Sequence, residues 1–226
     1  MKICVPIREK NQAEVQKRLQ EVHQSDADFA EIWLDSIADL DLKSLLSGIR
    51  PKVVAVCKKS NDQGQFKGSY KVMAELLEEA CRLGAEYIDV PLKMPSEQIK
   101  SLQLKVKNFD SEVILSHHDF KKTPSLADLL KLAEKMAKLK PDVIKISTLA
   151  TSDADAMNII TLAKMLEQQG ISHILIGMGE RGKLTRILTP TLGGEMMFAV
   201  LDKNQSTAPG QMTVKELKEA WTLLKT

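Results

Sequence analysis

A lysine within an apolar strand is the first candidate for chemistry. Lys145 lies in the run Pro141-Asp142-Val143-Ile144-Lys145-Ile146-Ser147, whereas most lysines of the chain lie on helix faces, where water explains them. In a closed barrel, a strand side chain points into the packed interior or into the helix layer, and both settings are dry. Burial favours the neutral amine, which is the form that attacks a ketone. The alternative is an edge strand on which Lys145 faces water.

A histidine at the end of the preceding predicted strand is the second candidate. In Ile114-Leu115-Ser116-His117-His118-Asp119-Phe120, the two histidines point to opposite faces of a strand and cannot chelate one metal ion together. His23 and His173 have no carboxylate or cysteine at ligand spacing, so no metal site is expected. His118 is either a structural histidine or a proton carrier beside Lys145, since the ends of adjacent strands meet at a barrel mouth.

A glycine-rich segment follows the seventh predicted strand. Gly177-Met178-Gly179-Glu180-Arg181-Gly182 has the spacing G-x-G-x-x-G, and Asp202 lies 20 residues beyond Gly182, as in a dinucleotide fingerprint. Pro190, Gly193 and Gly194 end the following helix after about two turns, which disfavours nucleotide binding. The favoured interpretation is a loop that presents Arg186 to an anion.

Two further segments end predicted strands and are less informative by themselves. Thr207-Ala208-Pro209-Gly210-Gln211 is either a turn before the last helix or a loop that brings Gln211 to the seventh-strand loop. Glu31 and Asp35 end the second strand and could be solvated, paired or ligand-binding, and the residues alone leave this open.

Alternating strands and helices must position these residues. Apolar, β-branched runs predict eight strands, at Lys2–Ile7, Phe29–Leu34, Lys52–Cys57, Tyr87–Val90, Glu112–Ser116, Asp142–Ser147, His173–Ile176 and Met196–Leu201. Apolar residues spaced three and four apart predict helices at Asn11–Gln24, Tyr70–Leu83, Ser96–Lys107, Ser125–Leu139, Asp153–Gln169 and Thr213–Leu224. Ser96, Asp153 and Thr213 are predicted helix caps. Eight such units in 226 residues predict an α/β fold, a single-domain (β/α)8 barrel with a closed parallel sheet over residues 1–226.

Composition limits the class of protein. The chain has 32 basic and 30 acidic residues, so no net field attracts nucleic acid or a membrane surface. Three cysteines lie in apolar segments without a C-x-x-C pair, as reduced buried thiols do. The N-terminal run is too short for a signal peptide, and no apolar run reaches the ~20 residues of a membrane span. These features predict a soluble cytoplasmic protein.

Taken together, the segments resemble the type I 3-dehydroquinate dehydratase family along nearly the whole chain. The matching pieces, in order, are Glu31, the S-x-H-D-F run at Ser116–Phe120, Lys145 in its strand, the loop Met178–Arg186 with Thr185 in place of a serine, and A-P-G-Q at Ala208–Gln211. Each piece is weak alone, but five in order on the expected strands are specific.

The resemblance implies a dehydration in the shikimate pathway that uses no metal or organic cofactor. Lys145 would form an imine with the C3 ketone of 3-dehydroquinate, and His118 would carry protons to give 3-dehydroshikimate. Arg186 and Gln211 would hold the substrate carboxylate, and Glu31 would bind a ring hydroxyl. The other implied substrate-binding residues are Met178, Lys58 and Thr207. Dimers occur in such families, so a homodimer is an assembly that the resemblance suggests.

Two stretches depart from the family pattern. The family has arginine in E-x-R where this chain has Trp33, and R-x-x-x-E-G-G where it has Lys58-Lys59-Ser60-Asn61-Asp62-Gln63-Gly64. Lys58 would keep the charge without the arginine fork, and Asp62 would keep the carboxylate that orients His118. Trp33 and Lys58 favour one alternative, a Schiff-base lyase or aldolase for another hydroxy-ketone acid. A further alternative is a non-catalytic carboxylate-binding barrel, against which the intact Lys145 and His118 argue. The loop between Lys58 and Tyr70 is predicted to be a mobile lid.

Overall fold

The computed structural model describes residues 1–205 and 210–224. Within these residues, eight strands alternate with eight α-helices. In chain order they are β1 (Lys2–Ile7), α1 (Gln12–His23), β2 (Phe29–Trp33), α2 (Leu42–Leu46), β3 (Lys52–Val56), α3 (Tyr70–Arg82), β4 (Tyr87–Pro91), α4 (Ser96–Val106), β5 (Glu112–Asp119), α5 (Leu126–Ala137), β6 (Val143–Leu149), α6 (Asp153–Gln168), β7 (His173–Met178), α7 (Lys183–Leu188), β8 (Met196–Phe198) and α8 (Val214–Leu223).

The strands form one eight-stranded sheet in the order β7-β6-β5-β4-β3-β2-β1-β8. The pairings β1–β8, β2–β3, β3–β4 and β6–β7 are parallel. A parallel bridge from His173 to Gly194 links the start of β7 to the segment before β8, the two ends of that order. The predicted (β/α)8 barrel is therefore confirmed.

Apolar strands explain why the sheet is parallel and covered. β3 reads Lys-Val-Val-Ala-Val and all but its first residue are buried, as in strands that are packed on both faces. Each of the eight predicted strands is present: β1 has the predicted bounds, and each of the others differs by one to three residues at one or both ends. β5 and β7 run further than predicted because the ladder continues through polar and glycine residues, and β8 is shorter.

The helix caps were predicted with mixed success. Thr213 forms the predicted capping box with Glu216 at the start of α8. Asp153 was wrongly predicted as a cap, because Ser152 caps α6 and forms a capping box with Asp155. Ser96 was also wrong, since Pro95 precedes the helix and makes no side-chain cap.

Contacts between residues divide the chain into two compact units. The first unit comprises Met1–Cys4 and Ser116–Thr226, and the second comprises Val5–Leu115. The first contains β6 paired with β7, with Lys145 opposite Ile174, and β8 paired with the start of β1. The second contains β2, β3 and β4 paired in that order. Predicted site residues are found in both units.

Candidate active site

Lys145 occupies the third position of β6 and is 5% exposed. Its Nζ lies 4.0 Å from the centroid of the Phe198 ring on β8. An aromatic face attracts a cation and also keeps water from one side of the amine. The strand lysine is therefore in the dry setting that the sequence predicted, and the water-facing alternative is wrong.

A glycine-rich loop and Thr185 fix the start of α7. Thr185 Oγ1 donates a hydrogen bond to the Gly182 carbonyl at 2.7 Å and accepts one from the Gly177 amide at 2.8 Å. A Cβ on Gly182 would lie 2.2 Å from the Gly177 carbonyl oxygen, and Gly179 has φ +85°. These glycines allow close backbone packing and a left-handed turn, which explains the motif without a nucleotide.

Arg186, on α7, is a buried cation. It is 1% exposed, and its Nη1 donates to the Phe198 carbonyl at 3.2 Å, while Nε has no hydrogen-bond acceptor among the described residues. Burial lowers the pKa of Arg186 to about 10, so the guanidinium still carries its charge at neutral pH. No ion pair joins Arg186 to a carboxylate in residues 1–205 and 210–224. The side chain is therefore suited to an anion that the fold itself does not supply.

Phe198 connects these two side chains, because its ring contacts Lys145 and its carbonyl accepts from Arg186. We call Lys145, Arg186 and Phe198 the lysine cluster. A primary amine can react with a ketone, and a guanidinium can donate two hydrogen bonds to a carboxylate. Because both contact one aromatic residue, the lysine cluster can bind a molecule that has both groups.

Four other candidate residues belong to the first unit by their position in the chain. His118 is the seventh residue of β5, is half-buried, and stacks on Phe120 with ring centroids 5.7 Å apart. Met178 ends β7 and is 6% exposed, and Gln211 is half-buried before α8. Thr207 lies outside the described residues. The roles of these four residues remain predictions.

Glu31 lies in the middle of β2 and is 4% exposed. Trp33 Nε1 donates a hydrogen bond of 2.9 Å to Glu31 Oε2. The guanidinium carbon of Arg8, which directly follows β1, lies 4.6 Å from the centroid of the Trp33 ring. We call Arg8, Trp33 and Glu31 the carboxylate cluster. The residue that departs from the family pattern is thus hydrogen-bonded to one that matches it.

Lys58, the second departure, is 2% exposed and forms a hydrogen-bonded ion pair with Asp89 of β4, which is 0% exposed. Its backbone amide donates to Asp35 Oδ1 at 2.9 Å, so Asp35 holds the loop after β3. Lys58 was predicted to keep the charge of the family arginine. That charge is present, but a buried carboxylate neutralises it.

Asp62 ends a single turn of 3-10 helix over Ser60–Asp62 and is 6% exposed. Its Oδ1 accepts a hydrogen bond of 2.8 Å from Lys93 Nζ. Gln63 follows with φ 63°, a left-handed conformation that costs a residue with a side chain more than it costs glycine. Gly64 is required, since a Cβ would lie 1.9 Å from the Lys58 carbonyl oxygen. The orientation of His118 by Asp62 remains a prediction, as does the lid.

Sequence reasoning missed three residues of these clusters: Phe198, Asp89 and Arg8. Asp89 had a usable signal, because it is a charged residue inside the apolar strand Tyr-Ile-Asp-Val-Pro, just as Lys145 is inside β6. Phe198 and Arg8 had none, because their importance comes from contacts with residues far away in sequence.

Other chemistry-bearing groups are few. The thiols of Cys4, Cys57 and Cys81 are buried and unpaired with one another, as predicted, and burial raises the pKa of Cys81 to about 11. Across the described ranges, no three His, Cys, Asp or Glu side chains group as metal ligands. Over the same part of the chain, no helix combines the length and the apolar composition needed to cross a bilayer.

The fold and the buried lysine define a (β/α)8-barrel protein equipped for amine chemistry on a carbonyl compound. A sequence model described as Type I 3-dehydroquinase matches residues 3–226. The chain therefore belongs to the type I 3-dehydroquinase family. The resemblance read from five short motifs is confirmed over nearly the full length.

Individual relatives agree with this membership. The chain is 31% identical to the 3-dehydroquinate dehydratase of Methanocaldococcus jannaschii over 98% of both chains. It is 32% identical to the bifunctional chloroplastic 3-dehydroquinate dehydratase/shikimate dehydrogenase of Arabidopsis thaliana, covering 97% of this chain but 36% of that protein. A solved type I 3-dehydroquinate dehydratase from Clostridium difficile has a TM-score of 0.89 at 24% identity, covering 99% of this chain and 91% of that one. This last likeness concerns the fold alone.

Proposed function

We propose that the protein dehydrates 3-dehydroquinate to 3-dehydroshikimate through an imine on Lys145, as a hydro-lyase of the shikimate pathway. The observation that carries the proposal is the burial of Lys145 in mid-strand against Phe198, with the buried Arg186 bonded to the same phenylalanine. The family membership supplies the substrate. The imine itself is the electron sink, so the reaction needs neither metal nor organic cofactor.

Lys145 Nζ attacks the C3 ketone, and the resulting carbinolamine loses water to form the imine. His118 takes a proton from C2, and the electron pair moves toward the cationic imine nitrogen. As the electrons return, the C1–O bond breaks and His118 protonates the leaving hydroxyl. Hydrolysis of the imine consumes one water and releases the enone product. The net change is loss of one water from the substrate.

Arg186 holds the substrate carboxylate, with Gln211 and Thr207 as further polar contacts and Met178 packed against the ring. A buried guanidinium that has no carboxylate partner in the described part of the chain supports this role. Glu31 binds a ring hydroxyl, Lys58 contributes its charge to substrate binding while it is paired with Asp89, and Asp62 orients His118. A cytoplasmic location and a homodimer are further expectations of this proposal.

A second candidate is an imine-forming lyase or aldolase for a different hydroxy-ketone acid. The observation that favours it is the local chemistry around Glu31, where an indole N–H stands in place of the family's arginine. The two candidates differ in efficiency on 3-dehydroquinate, because a site that lacks a partner for a substrate hydroxyl discriminates against that substrate.

The test is the appearance of the conjugated enone, followed by its ultraviolet absorbance, with wild type and Lys145→Ala. We expect turnover by wild type and a loss of about 10³-fold or more in Lys145→Ala, with the fold retained. Lys131→Ala, which alters a lysine 76% exposed on α5, is the matched control and should behave like wild type. Folded wild type without turnover would contradict the proposed substrate.

A further inference from the structure

The carboxylate cluster contains a cation that the family pattern does not place there. Arg8 directly follows β1 and is half-buried. Its guanidinium lies over the Trp33 ring at 4.6 Å, and Nη2 donates to the backbone carbonyl of Gln63. A guanidinium stacked on an aromatic face keeps its N–H groups in the plane directed outward. Two contacts thus fix the position of this charge.

Trp33 links that charge to Glu31. The indole N–H donates to Glu31 Oε2 at 2.9 Å while the face of the same ring receives Arg8. Cation, ring and carboxylate therefore follow one another in space. The family pattern E-x-R puts an arginine at position 33 itself, next to the glutamate. In this chain the arginine comes from position 8, and a tryptophan occupies position 33, where the family has its arginine.

The other cations of the second unit near these elements are already engaged. Lys58 is paired with Asp89 in a buried setting, and Lys93 is paired with Asp62. Arg8 differs, because no carboxylate pairs with it in the described part of the chain. Of its five N–H groups, one donates to Gln63, so the others remain able to donate to a ligand.

We propose that Arg8 is a specificity-determining residue, which replaces the family arginine of position 33 in reading the hydroxyl-bearing end of the substrate beside Glu31. The Trp33 ring supports the Arg8 guanidinium, and the indole N–H holds the Glu31 carboxylate in position by a hydrogen bond. The inference rests on the proposed function, since it takes 3-dehydroquinate as the ligand. It explains how a chain without the E-x-R arginine keeps a guanidinium on the tryptophan that is hydrogen-bonded to this carboxylate.

The test compares Arg8→Met with the double variant Arg8→Met/Trp33→Arg in steady-state kinetics on 3-dehydroquinate. Loss of a charged hydrogen-bond donor should raise the KM of Arg8→Met about tenfold, with kcat changed less. The double variant restores the family arrangement and should recover most of that loss. Arg82→Met is the matched control, because Arg82 is 58% exposed and pairs only with Glu79 of its own helix.

A second variant separates specificity from structural support. Arg8→Lys keeps the charge over the ring but loses the planar fork, so its KM should fall between those of wild type and Arg8→Met. If Arg8 served only to hold the Gln63 turn, an arginine at position 33 would not restore KM. Thermal unfolding of each variant identifies any that fails to fold, and Arg8→Lys still decides the question if the double variant does.

An unchanged KM in Arg8→Met, equal KM values for Arg8→Lys and Arg8→Met, or no recovery in the folded double variant would overturn the inference while leaving the function intact. Wild type that is folded but inactive on 3-dehydroquinate would overturn the function, and the inference with it.

Discussion

The lysine cluster and the carboxylate cluster treat their charges in opposite ways. In the first unit, Arg186 is 1% exposed, and its Nε has no acceptor within the described residues. In the second unit, Glu31 accepts from Trp33, and Lys58 is neutralised by Asp89. The deeply buried guanidinium of the first unit lacks a carboxylate among the described residues, whereas the deeply buried charges of the second unit have partners and its open donor, Arg8, is only half-buried.

The difference teaches where binding energy is available. A buried cation that has no carboxylate partner destabilises the free protein. A carboxylate ligand removes that cost when it binds, so Arg186 is suited to strong binding. A ligand that binds Glu31 must instead compete with the hydrogen bond from Trp33, and the donor Arg8 is only half-buried, so that region contributes discrimination more than affinity. We therefore expect the chemical step beside the lysine cluster. We expect substitutions to be tolerated better beside Glu31.

The largest expected effect is on the chemistry of the first unit. His118→Ala should slow imine formation and release by about 10²- to 10³-fold, because proton transfer by a positioned histidine contributes on this scale. Timed borohydride trapping measures imine formation directly. His117→Ala, which alters the adjacent half-buried histidine, is the control. Normal rates in His118→Ala would remove it from the acid–base role and break the assignment of chemistry to this unit.

The next effect concerns the buried ion pair of Lys58 and Asp89 in the second unit. Lys58→Met should lower the free energy of unfolding by about 3 kcal/mol, because it leaves the carboxylate of Asp89 buried and uncompensated. Lys58→Met/Asp89→Leu should recover part of this loss. Urea unfolding measures both. A single variant as stable as wild type would show that the pair is not a structural necessity, and would return Lys58 to the role of a substrate-reading charge.

A smaller effect is expected at Arg186. Arg186→Met should raise the KM about tenfold to a hundredfold through loss of the carboxylate partner. Its own stability should remain close to that of wild type, because the lost packing is opposed by removal of a buried charge. Steady-state kinetics measures the KM. Thermal unfolding with and without quinate measures the stability and the binding of a carboxylate ligand, with Arg181→Met as the exposed control.

Retained stabilisation by quinate in Arg186→Met would place the carboxylate elsewhere. A large loss of stability without any change in KM would mean that Arg186 is structural, and the contrast between the two regions would then fail.

The smallest effect comes from a buried histidine outside both clusters. His173 is 0% exposed, its Nδ1–H donates to the Ile171 carbonyl at 2.9 Å, and Nε2 has no partner in the described chain. Burial lowers the pKa of His173 below its ordinary 6.5, although the Ile171 hydrogen bond and the charge of Glu167 act in the opposite direction. The unfolded state thus binds the proton more readily.

Stability should therefore fall as the pH drops below about 6.5, by less than about 1 kcal/mol from this group. His173→Gln should unfold with a weaker dependence on pH between 7 and 5 than wild type does. An identical dependence would assign the acid sensitivity to other groups.

Much of the fold could be predicted from the sequence, because parallel strands buried on both faces leave plain apolar runs such as that of β3. α2 was not predicted, and α7 was predicted only as about two helical turns after the glycine-rich segment, since helices of five and six residues are too short to show a period. In the site, Lys145 and Arg186 could be predicted because their residue types are unusual for their settings. The partners of Trp33 and Lys58 could not, since Arg8 and Asp89 are 25 and 31 residues away from them.

The most direct test of the central claim is intact-protein mass spectrometry after incubation with 3-dehydroquinate and borohydride, followed by peptide mapping. The account predicts one reduced adduct on Lys145, which requires both that the substrate enters the site and that the buried amine forms the imine. Folded protein with no adduct, or with an adduct on another lysine while Lys145 stays unmodified, would contradict it.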